Sequence, residues 1–335
     1  MVFSSLLFLF RFMPVAFMVY YLTPKRGKNL VLLILSLVFY SWGEPKYFPI
    51  MIFSILLDYS MGRIIECHRG SKAICRWALA GSLMGNLGIL LFFKYTGFFT
   101  TNLNTLLGTN IPLLELTLPL GISFYTFQTL SYTMDVYRGN VKAERNIIDF
   151  GAFVVLFPQL IAGPIVKYTD VSRELKQRTV DMQDLTEGIT TFVYGLGKKV
   201  LIANNIGALW TEVETLGFSN LSSGLAWLGI LAFTLQIYFD FSGYSQMAIG
   251  LGRMLGFRFP QNFNFPYISR SITEFWRRWH MTLSSWFKEY VYIPLGGNRV
   301  SRGRWYFNMF VVWLATGFWH GADWNFIFWG LYFFL

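Results

Sequence analysis

Two of the three histidines in this 335-residue chain stand where an imidazole could do chemistry. His320 closes the apolar, aromatic run Trp313-Leu314-Ala315-Thr316-Gly317-Phe318-Trp319, and Gly321-Ala322-Asp323 follows it. Ionisable residues inside lipid-suited segments are costly and usually line a cavity or substrate path. In such low-dielectric surroundings an imidazole is held neutral and can accept a proton, the property of a general base. The plainer alternative is a structural histidine donating to a backbone carbonyl. His280 ends a second dense stretch, Ser271-Ile272-Thr273-Glu274-Phe275-Trp276-Arg277-Arg278-Trp279-His280. Here Thr273 is a candidate cap, Glu274 and Arg278 form an i,i+4 pair, and His280 falls near the face of Arg277. Asp240, within Gln236-Ile237-Tyr238-Phe239-Asp240-Phe241-Ser242-Gly243-Tyr244, needs a cationic or hydrogen-bonding partner if it is kept from lipid.

The elements that must carry these groups are membrane helices. Hydrophobic residues make up 54% of the chain and charged ones 14%. Soluble domains hold about 25% charged residues, so the composition is that of an integral membrane protein. Aromatics reach 19%, more than interfacial belts need, so many should pack between helices. Cys67 and Cys75 have no metal-ligand pattern around them and read as free thiols. No basic region precedes the first apolar run and no small-residue cleavage site follows it, so a signal peptide is not expected. Nine Lys/Arg face two acidic residues between Leu251 and Arg304, which supplies +7 of the net charge of +10. The positive-inside bias accounts for most of this, and a basic cytosolic face also attracts a polyanionic thioester donor. Nucleic acid is an unsuitable partner, because no basic helix stands clear of the apolar runs.

Taken in order, the first span is Val2 to Leu22, interrupted by Arg11 and Pro14. Asn29 to Trp42 and Tyr47 to Met61 read as a tight helical hairpin through Gly43-Glu44-Pro45-Lys46. A basic loop, Arg63 to Arg76, leads to a span over Ala78 to Tyr95 and a polar loop, Thr100 to Asn110. Leu118 to Val136 spans next. Alternating basic and non-basic loops put the N-terminus outside and the loops near residues 25, 70 and 140 in the cytoplasm. Phe153 to Tyr168 breaks the helical pattern at Pro158, Gly163 and Pro164, and backbone freed at membrane depth must be buried by protein or meet a wet cavity. Leu185 to Asn205 is amphipathic with Lys198-Lys199, and Ser223 to Gly250 is a long span. Trp276, Trp279 and Trp286 alternate with cations as on an interfacial helix. The expected fold is all-α, polytopic, of roughly nine or ten membrane or re-entrant helices, some shorter than a full span.

The sequence resembles the membrane-bound O-acyltransferase superfamily, in the bacterial branch typified by alginate O-acetyltransferase. The resemblance is carried by Leu118-Pro119-Leu120-Gly121-Ile122-Ser123-Phe124-Tyr125, Ile161-Ala162-Gly163-Pro164, Tyr238 to Tyr244, Glu274 to His280, Tyr292-Ile293-Pro294-Leu295-Gly296-Gly297-Asn298, and Phe318-Trp319-His320-Gly321. It implies one membrane-embedded acyltransferase domain over residues 1–335, with short, re-entrant and interfacial helices around a central funnel or channel. Further helices are implied after Leu335, so the chain reads as truncated at its C-terminus. The histidine of the Trp-His-Gly motif is regarded as catalytic in that family, which carries over to His320, with His280 as a second catalytic candidate. Arg277, Arg278, Asp240, Trp319 and Asn298 are the candidate substrate contacts. No bound cofactor or metal is implied. Acetyl-CoA is the expected donor substrate, in a multi-pass protein of a bacterial inner membrane surrounded by lipid. The acceptor is an extracytoplasmic glycan, reached directly or through a partner acetyltransferase.

Acyl transfer from a thioester to an alcohol needs a base at the hydroxyl and stabilisation of the oxyanion. Asp323 could orient His320 or cap the next helix, and the second role suits its position better. No H-x-x-x-x-D follows any histidine, unlike the glycerolipid acyltransferase layout, and G-x-S-x-G, Walker and H-E-x-x-H patterns are missing. Two other readings remain: D-alanyl transfer from a carrier protein to teichoic acid, and a transporter, which also uses broken helices with midplane polar groups. A continuous helix from Arg304 would carry His320 about 24 Å along its axis, between the midplane and the external third of a core about 30 Å thick.

Overall fold

The computed structural model describes residues 2–114, 116–161 and 163–335, and those residues are helical with irregular connections and no strand. Ala162 of the Ile161–Pro164 stretch lies outside the described residues. Among the described residues three helical segments are long and apolar enough to cross a membrane: Pro45–Cys67, Lys72–Leu107 and Ser223–Met254. Others are shorter than a full span, as expected, including Lys28–Gly43 at 16 residues. The chain divides into two compact units. The first comprises Met1–Gly43, Val155–Val166 and Asp170–Met281, and the second Glu44–Val154, Lys167–Thr169 and Thr282–Leu335.

In the first unit the opening span stays helical through Arg11 and Pro14, and the expected interruption is only a change of helix type. Proline offers no N–H to the preceding turn, and the chain takes a π-helical turn over Phe8–Phe12 before the helix Met13–Leu22. Aromatic rings fill the space between elements: Phe8 lies edge-on to Phe39 at 5.9 Å and Phe12 edge-on to Phe157 at 5.4 Å. The expected break follows, with a single short helix at Phe157–Leu160 whose first N–H donates to Ser36 Oγ at 3.1 Å. That bond supplies the partner a helix start in apolar surroundings requires.

Met182–Gly197 and Ser223–Met254 are seamed by glycines seven residues apart on each helix. A Cβ on Gly250 would come within 2.6 Å of Gly188 O, and one on Gly195 within 2.5 Å of Gly243 O. The pairing Gly188–Gly250 and Gly195–Gly243 makes the helices antiparallel, with their backbones nearly touching. After Gly197 the first of the two becomes π-helical over Lys198–Ala203.

The second unit is organised around a buried carboxylate. Asp58, on Phe48–Cys67, accepts from Ser82 Oγ at 2.5 Å and Asn86 Nδ2 at 2.7 Å on Lys72–Leu107, and from Thr133 Oγ1 at 2.9 Å on Ile122–Arg138. Three donors on one carboxylate satisfy most of its acceptor capacity, which lets it sit fully buried and fixes the register of three helices.

Two loop expectations are corrected. Thr100 to Leu107 is helical, and the connection begins at Gly108 with φ 64°. The polar residues there bond back onto their own helix, Asn102 Nδ2 to Phe98 O at 2.7 Å and Thr105 Oγ1 to Thr101 O at 2.9 Å, so they cost the helix little. The basic segment Arg63 to Arg76 is helical at both ends and is a loop only from His68 to Ser71. Both cysteines are free thiols.

Candidate active site

In the second unit Arg302–His320 is one continuous helix of 19 residues that ends on the histidine. Gly321 is extended, and Asp323 stands at the N-cap of Trp324–Phe334. Asp323 occupies the capping position without a side-chain cap bond, and it makes no hydrogen bond to His320 among the described residues. The two helices cross at glycine: a Cβ on Gly317 would meet Phe326 O at 2.5 Å, and one on Gly330 would meet Trp313 O at 2.6 Å. A Cβ on Gly321 would overlap the Phe326 ring, which is why the residue after the histidine has none.

His320 has rings on two sides. Trp319 lies 5.0 Å away and Trp329 4.9 Å away, both edge to face, and the residue as a whole is exposed. Trp319 is itself held in place. Phe127 stacks on it at 5.6 Å, Phe124 meets it edge-on at 5.7 Å, and Phe127 is backed by Trp286 at 3.9 Å. Trp286 Nε1 also donates to Phe127 O at 2.9 Å. The Asp58 junction sets the helix that carries Phe124 and Phe127, so the wall behind His320 is anchored to the core of its unit.

Sequence reasoning missed Lys94. Its Nζ donates to the carbonyl of Trp319, and lies 5.7 Å from that residue's ring centroid. No carboxylate pairs with it among the described residues. A lysine at the centre of a membrane helix costs about 2.5–3.5 kcal/mol. A cation at a helix C-terminus returns about 0.3–1 kcal/mol, so capping alone does not explain its presence. The one signal in the sequence is a single lysine inside an apolar run.

Asn298 is exposed in the turn after the π-helical Lys288–Tyr292 and makes no side-chain hydrogen bond among the described residues. That turn passes through Gly296 at φ 108° and Gly297 at φ 57°, with Gly297 O held by buried Asn308 at 3.0 Å. The structure therefore brings together Trp319 and His320, and not Asn298 with them.

His280 belongs to the first unit and differs from expectation. The helix Ile272–Arg278 ends two residues before it, and His280 has φ 42°, a left-handed conformation that side chains other than glycine rarely adopt. It therefore does not continue the face of Arg277. Its ring is buried, edge-on to Phe241 at 4.8 Å, with Nδ1 3.0 Å from Asn262 Oδ1. Asn262 Nδ2 donates to Ser245 Oγ at 3.0 Å, so its oxygen faces the histidine and the Nδ1 proton is donated to it. Met281 N donates to Asn262 O at 2.9 Å, clamping the same turn.

The helix before it is capped by Ser271, whose Oγ accepts from Glu274 N at 3.1 Å, and not by Thr273. Serine wins because its side chain stands one turn ahead of the free N–H groups. Glu274 meets Arg278 at 2.9 Å as expected and accepts from Arg270 N. The Arg270 N–H, and then Arg278, hold its carboxyl below the usual glutamate range. Arg278 also donates to Asn264 O at 3.1 Å, whereas Arg277 is exposed.

Asp240 has the partner it requires: Lys199 Nζ at 2.7 Å, displayed by the π-helical turn. The pair lines a cavity of about 500 Å³ with Gln236, Phe241 and Tyr244.

Residues 142–335 match the MBOAT, membrane-bound O-acyltransferase family. The chain is 48% identical to a Pseudomonas aeruginosa protein named "Probable alginate O-acetylase AlgI", over 98% of this chain and 64% of that one. It is 39% identical to a Helicobacter pylori protein named "Peptidoglycan O-acetyltransferase", over 99% of this chain and 68% of that one. A Bacillus subtilis protein named "Teichoic acid D-alanyltransferase" is 29% identical over 64% of this chain and 56% of its own length. The chain thus spans just under two thirds of the alginate relative.

Proposed function

Because the chain belongs to the membrane-bound O-acyltransferase family, we propose that it moves acetyl groups from cytosolic acetyl-CoA across a bacterial inner membrane to an extracytoplasmic glycan. It is a membrane protein, and its relatives are named for acetylation of alginate and of peptidoglycan. The observation that carries the reading is His320. It ends an apolar helix and is braced by rings on two sides, with the residue as a whole exposed. A histidine so placed is fixed in direction yet can reach a substrate hydroxyl. In the proposed reaction His320 takes the acceptor's proton as its oxygen attacks the thioester carbonyl, and returns that proton to the departing thiolate. Trp319 forms one wall.

His280 is assigned a structural task, since its ring is buried and it stands in a left-handed turn clamped by Met281 N on Asn262 O. Arg277, exposed beside the committed Arg278, is the better donor contact of the two. Asp240 acts with Lys199 at the wall of its cavity. The acetyl group passes to the glycan directly or through an extracytoplasmic acetyltransferase, with donor and acceptor entering by a channel and a funnel from opposite faces.

The test is donor use by the protein in sealed vesicles. Label from acetyl-CoA supplied on the cytosolic side should appear as an O-acetyl ester on an alginate or peptidoglycan acceptor outside. Label accepted only from a D-alanyl carrier protein would move the activity to the teichoic acid branch. Solute flux with no thioester consumption would make the protein a transporter.

A further inference from the structure

The lysine beside the candidate base has a use that hydrogen bonding to a helix end does not exhaust. Lys94 sits well inside Lys72–Leu107, a helix long and apolar enough to cross the membrane. Its ammonium carries three N–H donors, and one is used on Trp319 O, the carbonyl of the residue before His320. No carboxylate pairs with it among the described residues. Intramembrane cations are otherwise found paired, or on a substrate or ion path. The ring of Trp319 lies between phenylalanines and within cation–π range of the ammonium, which fixes the lysine beside the end of the histidine's helix.

We propose that Lys94 is a second catalytic group, the cation that stabilises the oxyanion formed when His320 activates the acceptor hydroxyl. This rests on the acyl-transfer reading given above. In the step, the acceptor oxygen forms a bond to the thioester carbonyl carbon while its proton passes to His320. The π electrons of the carbonyl move onto its oxygen, and an N–H of Lys94 donates to the resulting anion. On collapse the C–S bond breaks, and the thiolate leaves with the proton held by the imidazolium. Thioester and alcohol become ester and thiol, and Lys94 keeps its protons throughout. The arrangement separates two tasks that one histidine cannot perform together, accepting a proton and presenting positive charge at the start of attack.

The experiment compares Lys94→Gln and Lys94→Arg with the parent, all in membranes and normalised to inserted protein. Glutamine keeps an N–H donor for Trp319 O and loses the charge, and arginine keeps both. Lys94→Gln should insert normally and lose about 10²–10³-fold in kcat, the usual cost of an oxyanion donor, with KM for acetyl-CoA nearly unchanged. Lys94→Arg should recover a substantial part of that loss. A glutamine variant with kcat within about threefold of the parent overturns the proposal, as does a loss accounted for by lost protein in both variants. His320→Ala is assayed beside them. Activity retained there sinks the acyl-transfer reading itself, whereas an inactive His320→Ala with a fully active Lys94→Gln sinks only the role of Lys94.

Discussion

His280 and His320 have the same side chain and opposite surroundings. His280 is buried in a left-handed turn, and its Nδ1 is committed to an asparagine that is itself oriented by Ser245. His320 stands exposed at a helix end, braced by two tryptophans, with an ammonium on the neighbouring carbonyl. One imidazole is part of how the chain turns between two helices. The other is held between two tryptophans at the end of a helix. The two differ in how the backbone is held and in how far the ring is buried, which the motif around each does not show.

The comparison breaks most visibly at His280. His280→Ala removes the donor to a buried Asn262 oxygen and keeps a Cβ in the left-handed region, so it should cost about 1–3 kcal/mol of stability. Thermal unfolding in detergent should report this as a lower midpoint, with kcat per folded molecule within about threefold of the parent. His280→Gly sharpens the point. Glycine relieves the φ 42° backbone, so it should be less destabilising than alanine by about 1 kcal/mol. The reverse order would mean that the turn is not strained.

Asp240→Asn should have a smaller effect. The Lys199 pair is partly exposed, with side chains 25% and 39% accessible, so its loss should change stability by less than about 1 kcal/mol. A fall in kcat well beyond that in protein level would place Asp240 on the substrate path. Arg277→Ala is expected to leave stability within about 0.5 kcal/mol, because the side chain is exposed. A raised KM for acetyl-CoA would keep it as a donor contact, and an unchanged KM would return it to the positive-inside bias.

Much of this was legible in the residues. Pro158 marks a break and Pro14 a π-helical turn, because proline's missing N–H acts locally. The Glu274–Arg278 pair follows from helix spacing, and the cost of an unpaired intramembrane Asp240 calls for a cationic or hydrogen-bonding partner, which is Lys199. What escaped depends on distant chain. Lys94 meets a carbonyl 225 residues away, and Asp58 gathers donors from two other helices, neither of which a periodic pattern encodes. The positive φ of His280 was hidden because the Trp-Arg-Arg-Trp-His stretch has helical composition up to its last residue, and the clamp on Asn262 lies outside that stretch. The polarity of Thr100 to Asn110 reads as loop, although threonine and asparagine can bond to their own helix and do so up to Leu107.

The most direct test of the account is a single-turnover acetyl transfer by His320→Ala and His280→Ala, in vesicles matched for inserted protein. With excess protein and limiting labelled acetyl-CoA, the rate of ester formation reports the chemical step. His320→Ala should be slower by about 10²–10⁴-fold, the range expected for a lost general base, while folded His280→Ala transfers at close to the parent rate. Equal rates for His320→Ala and the parent, or a collapse confined to His280→Ala, would contradict the assignment of the base to His320.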